Sequence, residues 1–151
     1  MVPRRPLGGC IVIPGVEVRP LRRLDDPRGW FLKAIQRRHL EGLAFGEAYV
    51  SVGQPGETRA NHYHRRTTEW FCPVAGRGHL YLAATDGAAR MAVRFDVAAP
   101  VSVRIPPLVA HSLVADADCE LAVLAIADIE YDPNDTDTYP VDFAAIRGSG
   151  A

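Results

Sequence analysis

The sequence predicts an all-β domain, a sandwich or barrel built from many short strands. Three observations carry that prediction. With 13 Gly and 12 Pro in 151 residues, turn-forming residues punctuate the chain at short, regular intervals. The runs between them are rich in Val, Ile, Leu and Tyr, and several alternate apolar with polar residues. At 151 residues the chain fits one domain, 1–151, long enough to bury a core without disulfides or metal.

Taken in order, "VEVRPL" (16–21) alternates, and "GWFLKAI" (29–35) and "AYVSVG" (48–53) are short apolar runs bounded by turn residues. "TRANHYH" (58–64), "EWFCPVAG" (69–76) and "GHLYLAA" (78–84) read as three further strands. Beyond the turn "TDG" (85–87) come "ARMAVRFDV", "PVSVRIP", "HSLVA" and "CELAVLAIADI". The alternation in "MAVRFDV" and "VSVRIP" puts arginines on one strand face and valines on the other, since successive side chains point oppositely. Only "VDFAAIRG" (141–148) reads as a helix, and a short one.

Charge narrows the partners. Seventeen Lys and Arg against 18 Asp and Glu leave a net charge of −1, without the basic excess that marks nucleic-acid or membrane-surface binding. Lys33 is the single lysine; the arginine bias suits phosphate recognition but has a ready alternative in a GC-rich genome. Cys10, Cys72 and Cys119 are an odd number with no CxxC pair, which fits a reducing compartment. "LGGC" (7–10) follows only "MVPRRP", which lacks the apolar stretch of a signal segment, and no run is long enough for a membrane helix. The expectation is a cytoplasmic protein.

The chemistry concentrates in "GETRANHYHRRTTEWFCPVAG" (56–76). On a strand, His62 and His64 share a face, and a turn through "RRTT" brings Glu69 back to it. His111 follows a Pro-Pro corner in "IPPLVAHSL". Three imidazoles and a carboxylate converging inside a barrel make a divalent transition-metal site with room for another ligand. Zinc heads the candidates, and Mn, Fe, Ni or Co could use the same set. A histidine in a strand is more often a packed or surface residue, the reading given to His39 and His79. Cys72 reads as a small buried apolar residue.

The spacing from Gly56 through His62, His64 and Glu69 to Gly76 resembles the first motif of the cupins. "PPLVAH" (106–111) resembles the second, P-x-G-x-x-H, with Leu108 where glycine is usual. The resemblance implies the double-stranded β-helix, or jelly-roll, barrel of that superfamily. It also leaves His111 in register while reshaping the turn at Leu108.

From 24 to 139 the chain is similar to the RmlC-like, nucleotide-sugar branch of cupins. "DDPRGWF" (25–31) resembles the D-x-R-G-x-F signature of dTDP-4-dehydrorhamnose 3,5-epimerases. "PGETRANHYHRRTTEWF" (55–71) and "YDPNDTDTY" (131–139) resemble the C-terminal cupin domain of capsular-polysaccharide UDP-sugar reductase/epimerases more closely, with Ala60 in place of a glycine. This implies epimerisation at carbon 3, with carbon 5 as a second position, of a nucleotide-diphosphate 4-keto-6-deoxy sugar. It also implies a homodimer exchanging N-terminal strands such as "VEVRPLRRL".

The same resemblance implies residue roles. His62 matches a catalytic base and Tyr131 an opposite-face acid, while Arg28 and Arg59 match arginines that hold diphosphate or sugar. For the arginines, surface ion pairs with Asp25 or Asp26 are the ordinary alternative. Asn61, Tyr63 and Trp70 are placed to line a cavity or, equally, to face outward; Trp30 and Phe31 read as core or dimer contacts. A nitrogen of His62 given to metal cannot also take a substrate proton, so with four ligand positions filled His62 reads first as ligand and second as base. A sugar 3,4-ketoisomerase, an Fe(II) dioxygenase and a non-catalytic sugar-binding cupin are the competing functions.

Overall fold

The computed structural model describes residues 12–143. Cys10 with the "LGGC" stretch, and all but the first residues of the expected helix at 141–148, lie outside them. The described strands are β1 (Glu17–Pro20), β2 (Arg23–Asp26), β3 (Gly29–Leu32), β4 (Glu47–Gly53), β5 (Thr58–Tyr63), β6 (Glu69–Ala84), β7 (Arg90–Asp96), β8 (Val101–Ile105), β9 (Val109–Ala115), β10 (Leu121–Ala127) and β11 (Tyr139–Pro140). A single 3-10 turn, Arg37–Leu40, interrupts them.

Nine strands join in one antiparallel network that folds into two faces sharing β6. The first half of β6 pairs with β8 and β10, which carry β1 and β4 on their outer sides. Its second half pairs with β7 and β9, and β9 leads through β5 to β11. This is the all-β jelly-roll barrel expected from the sequence. Phe71, Leu80, Leu82, Phe95, Val103 and Ile105 fill the space between the faces. They belong to alternating strands that turn one side inward, as in β10, where buried and half-buried residues alternate throughout.

The sequence reads residues 69–84 as two strands broken at "GRG"; the structure makes them one strand of 16 residues. Pro73, which has no N–H to donate, sits beside a bulge against β10 between Ala122 and Val123. Gly76 lies at φ +72, and a Cβ there would run into the Glu120 carbonyl oxygen. The glycine is needed for a close backbone approach, so what reads as a turn is the crossing from one face to the other.

β2 and β3 form a separate hairpin, and β2 was not expected because "RLDD" lacks alternation. Arg23 ties the hairpin to the barrel by donating to the Val97 carbonyl at 2.9 Å. Trp30 and Phe31 stay 43% and 57% exposed, so within one chain they are not core residues.

Candidate metal centre

His62 on β5 pairs directly with His111 on β9. His64 follows the end of β5, and Glu69 opens β6 after a turn through 65–68. One nitrogen or oxygen from each of these four residues lies within 4.8 Å of the others. The structure therefore brings together all four side chains of the expected ligand set.

Local backbone explains the convergence. β5 bulges against β9 between Ala60 and His62, and Ala60 and Asn61 take φ of +70 and +63. Two successive left-handed residues are a conformation that favours glycine, the residue that the resembled motif has where Ala60 stands. Leu108 likewise adopts φ +65. Its N–H donates to the His64 carbonyl at 2.7 Å, and its own carbonyl accepts from the Thr85 hydroxyl at 3.0 Å. Leucine thus bears a left-handed conformation that favours glycine, and His111 stays in register opposite His62.

The tautomers follow from hydrogen bonding. His64 Nδ1 lies 2.7 Å from the Asp137 carbonyl and His111 Nδ1 lies 3.1 Å from the Val109 carbonyl. A carbonyl only accepts, so both Nδ1 atoms carry hydrogen and both Nε2 atoms face inward. Glu69 Oε2 sits 3.1 Å from His64 Nε2 and 3.0 Å from His111 Nε2. The His111 approach lacks hydrogen-bond alignment, leaving a fully buried Nε2 with no partner. A buried ring nitrogen without a hydrogen bond, held against a carboxylate and two other imidazoles, is the environment a divalent cation satisfies, and the three-nitrogen, one-oxygen donor set suits a transition metal.

Charge supports the same fit. Burial alone would raise the Glu69 pKa, but His111 and His64 hold the carboxyl well below its usual range. Burial, with His111 and His64 adding to it, pushes His62 down to about 4, so its imidazole is neutral near pH 7. Burial also disfavours charged His64, yet the hydrogen bond and charge of Glu69 win and raise it. A neutral imidazole keeps one nitrogen lone pair, so His62 has a single lone pair to offer.

Sequence reasoning missed two supporting residues. The Tyr49 hydroxyl donates to Glu69 Oε1 at 2.6 Å. Burial and the Glu69 charge raise its pKa, so it remains a phenol. The alternation of "EAYVSVG" places Glu47, Tyr49 and Ser51 on one face and could have flagged it. Asp137 is buried at φ +48, and its carboxylate accepts from the amides of Arg65, Arg66 and Thr67. Burial would raise this carboxyl, but those donors hold it below its ordinary value. No sequence pattern announces that contact, which spans some 70 residues.

A cavity of about 580 Å³ opens over the centre, and Arg59, His62, His64, Glu69 and Tyr131 line it. Arg59 has no carboxylate partner among the described residues; its Nε lies 3.4 Å from Ser51 Oγ. Tyr131 is 57% exposed at the rim. Arg28 stands outside this cavity: its side chain is 90% exposed and pairs with Asp26 at 2.7 Å. Asn61 does not line the cavity either, and its amide oxygen is buried without a partner. Trp70 is fully buried, and Tyr63 stacks on Tyr139 with ring centres 5.2 Å apart. Cys72 is also buried, which pushes its thiol up to about 12.

Residues 24–139 match the polysaccharide biosynthesis C-terminal domain family. The chain belongs to this family. It is 29% identical over 134 residues to the spore coat polysaccharide biosynthesis protein SpsL of Bacillus subtilis (strain 168), covering 83% of this chain and 87% of SpsL. The capsular polysaccharide assembling protein CapF of Staphylococcus aureus is 25% identical with a TM-score of 0.62, over 82% of this chain. The chain spans only 34% of CapF. NovW, a 4-keto-6-deoxy sugar epimerase from the novobiocin gene cluster of Streptomyces spheroides, shares the fold at 24% identity and a TM-score of 0.71, over 89% of this chain and 74% of NovW. The family member described here thus has the RmlC-like cupin fold.

Proposed function

We propose that this domain is a metal-dependent sugar-nucleotide epimerase, acting at carbon 3, and within reach of carbon 5, of a 4-keto-6-deoxy hexose carried on a nucleoside diphosphate. The observation that carries the reading is the meeting of His62, His64, Glu69 and His111 beneath a cavity that also holds Arg59 and Tyr131. Family membership and the likeness to SpsL support a place in polysaccharide biosynthesis. NovW supports a keto-sugar substrate by fold alone.

Epimerisation beside a ketone removes an acidified C–H proton and returns one to the opposite face. His62, His64, Glu69 and His111 would hold a divalent ion, which would supply Lewis acidity toward the ketone oxygen. Zinc is the first candidate, with Mn, Fe, Ni or Co able to occupy the same donors. The single lone pair left on His62 serves either as ligand or as base, and the four-donor geometry favours ligand. Tyr131 enters the cavity from the segment after β10, whereas the histidines come from β5 and β9, so its phenol is the proton carrier on another wall. Arg59, free of carboxylates, is positioned to grip the diphosphate through its planar fork.

The test is solvent deuterium incorporation by the metal-loaded protein. Label at carbon 3 or 5 of a UDP- or dTDP-linked 4-keto-6-deoxy sugar supports epimerisation. No exchange with either substrate removes it, and a product whose ketone has moved to carbon 3 makes the domain a 3,4-ketoisomerase. In Tyr131→Phe, exchange at one face should persist while net inversion falls at least tenfold, consistent with the usual size of general acid–base effects of about 10²–10⁴-fold.

A further inference from the structure

Residues 128–138, which carry Tyr131, form a strap across the cavity rim, and both of its ends are fastened to the turn that joins His64 to Glu69. At one end the Thr68 amide donates to Asp128 Oδ1 at 2.7 Å, and the Asp128 amide donates to the Thr68 carbonyl at 3.1 Å. At the other end Asp137 takes the amides of Arg65, Arg66 and Thr67 at 2.9, 3.0 and 3.0 Å and the Thr67 hydroxyl at 2.9 Å. Three successive N–H groups around one carboxylate make a concave anion nest, here filled by the protein's own side chain. The carbonyl of the same Asp137 accepts from His64 Nδ1. A further pair, Arg66 with Asp135 at 2.8 Å, adds to the hold on the same end.

We propose that Asp137 is a positioning residue that couples occupation of the metal centre to the order of the strap bearing Tyr131. The coupling half of this inference rests on the metal-centre reading above. Whatever fixes the His64 ring fixes the Asp137 carbonyl it holds, and with it the strap's far end. By reciprocity, an anchored strap presents His64 Nε2 at the correct angle before any ion arrives. The carboxylate's four donors keep the turn 65–68 in one conformation, so His64 and Glu69 meet without further ordering cost.

Hydrogen exchange on the full chain, with zinc alone as the probe, tests this. In the metal-free protein, Asp137→Ala should speed exchange of the 65–67 amides and of 128–138 by at least tenfold, with Asp137→Asn intermediate. In the wild type, zinc should slow exchange across 128–138. In Asp137→Ala it should not, and zinc affinity should weaken by about 10–100-fold, the range for residues that orient metal ligands. Wild-type exchange rates in a folded Asp137→Ala protein, or unchanged zinc affinity with a zinc-protected strap, would overturn the proposal. Should Asp137→Ala fail to fold, Thr67→Val removes one of the four donors and must shift the same segments in the same direction. A wild type that takes up no zinc overturns the centre and the coupling together, and the metal-free comparison still decides whether Asp137 anchors the strap.

Discussion

Tyr49 governs how Glu69 meets its histidine neighbours. Its hydroxyl occupies Oε1 and turns Oε2 toward His64 and His111. Tyr49→Phe leaves one oxygen of a buried carboxylate without its donor. Hydrogen bonds to charged groups contribute about 1.5–3 kcal/mol, so urea unfolding of the metal-free protein should show a loss of that order. Zinc competition titration should show affinity weakened by about 10–100-fold; equal affinities in Tyr49→Phe and wild type would deny the tyrosine any orienting role. Ala60 makes the opposite case. A left-handed alanine costs about 1–2 kcal/mol, and glycine's extra freedom in the unfolded chain returns roughly 0.5–1 kcal/mol of that. Ala60→Gly should therefore raise thermal stability by a few degrees, and a lower melting temperature would mean the bulge at β5 is not strained. The four candidate ligand positions were legible because alternation pairs His62 with His64 and the resemblance to two cupin motifs adds Glu69 and His111. Tyr49 was legible in principle, as it shares a face with Ser51. Asp137 was not, since its partners lie some 70 residues away in the chain.

At the level of elements, β6 decides whether the two faces can share one strand. Gly76 supplies the left-handed crossing and leaves no room for a side chain beside the Glu120 carbonyl. Gly76→Ala meets both penalties at once: the conformational cost, and a clash with backbone that cannot rotate away. A loss above about 3 kcal/mol is expected, which places it in the tail of single substitutions. Denaturant titration checks it, and a loss under about 1 kcal/mol would show that β6 and β10 can separate at this point without harm. The same glycines explain why sequence reading split β6 in two. A glycine pair signals a turn as readily as a close approach of strands, and only the partner strand distinguishes them. The hairpin strand β2 and the two-residue β11 escaped notice for a different reason: neither has an alternating apolar face. β11 owes its existence to Tyr63 and His62 opposite it.

For the whole molecule, the hairpin β2–β3 poses a problem that a single chain does not solve. Leu24, Trp30 and Phe31 remain at 47%, 43% and 57% exposure on an element that Arg23 ties to the barrel. Val50 and Val52 are also exposed, together on one face of edge strand β4, but they are small, whereas adjacent aromatics are the residues enriched in interface cores. A second copy packed on the hairpin would bury this patch next to β1, itself the edge strand of its face. Sedimentation should therefore give a species of twice the 16.5 kDa chain mass. Replacing both Trp30 and Phe31 by serine should raise the dimer dissociation constant by at least 100-fold, since aromatic hot spots contribute about 2 kcal/mol or more each. The barrel should remain folded in that variant, because neither ring belongs to the core between the faces. Zinc uptake separates the two scales: all four candidate ligands come from one chain, so the monomeric variant should still bind one equivalent. Wild-type protein that stays monomeric at high concentration would leave the aromatic pair without an occupant, and loss of zinc along with the dimer would mean that the centre needs the second copy to hold its shape.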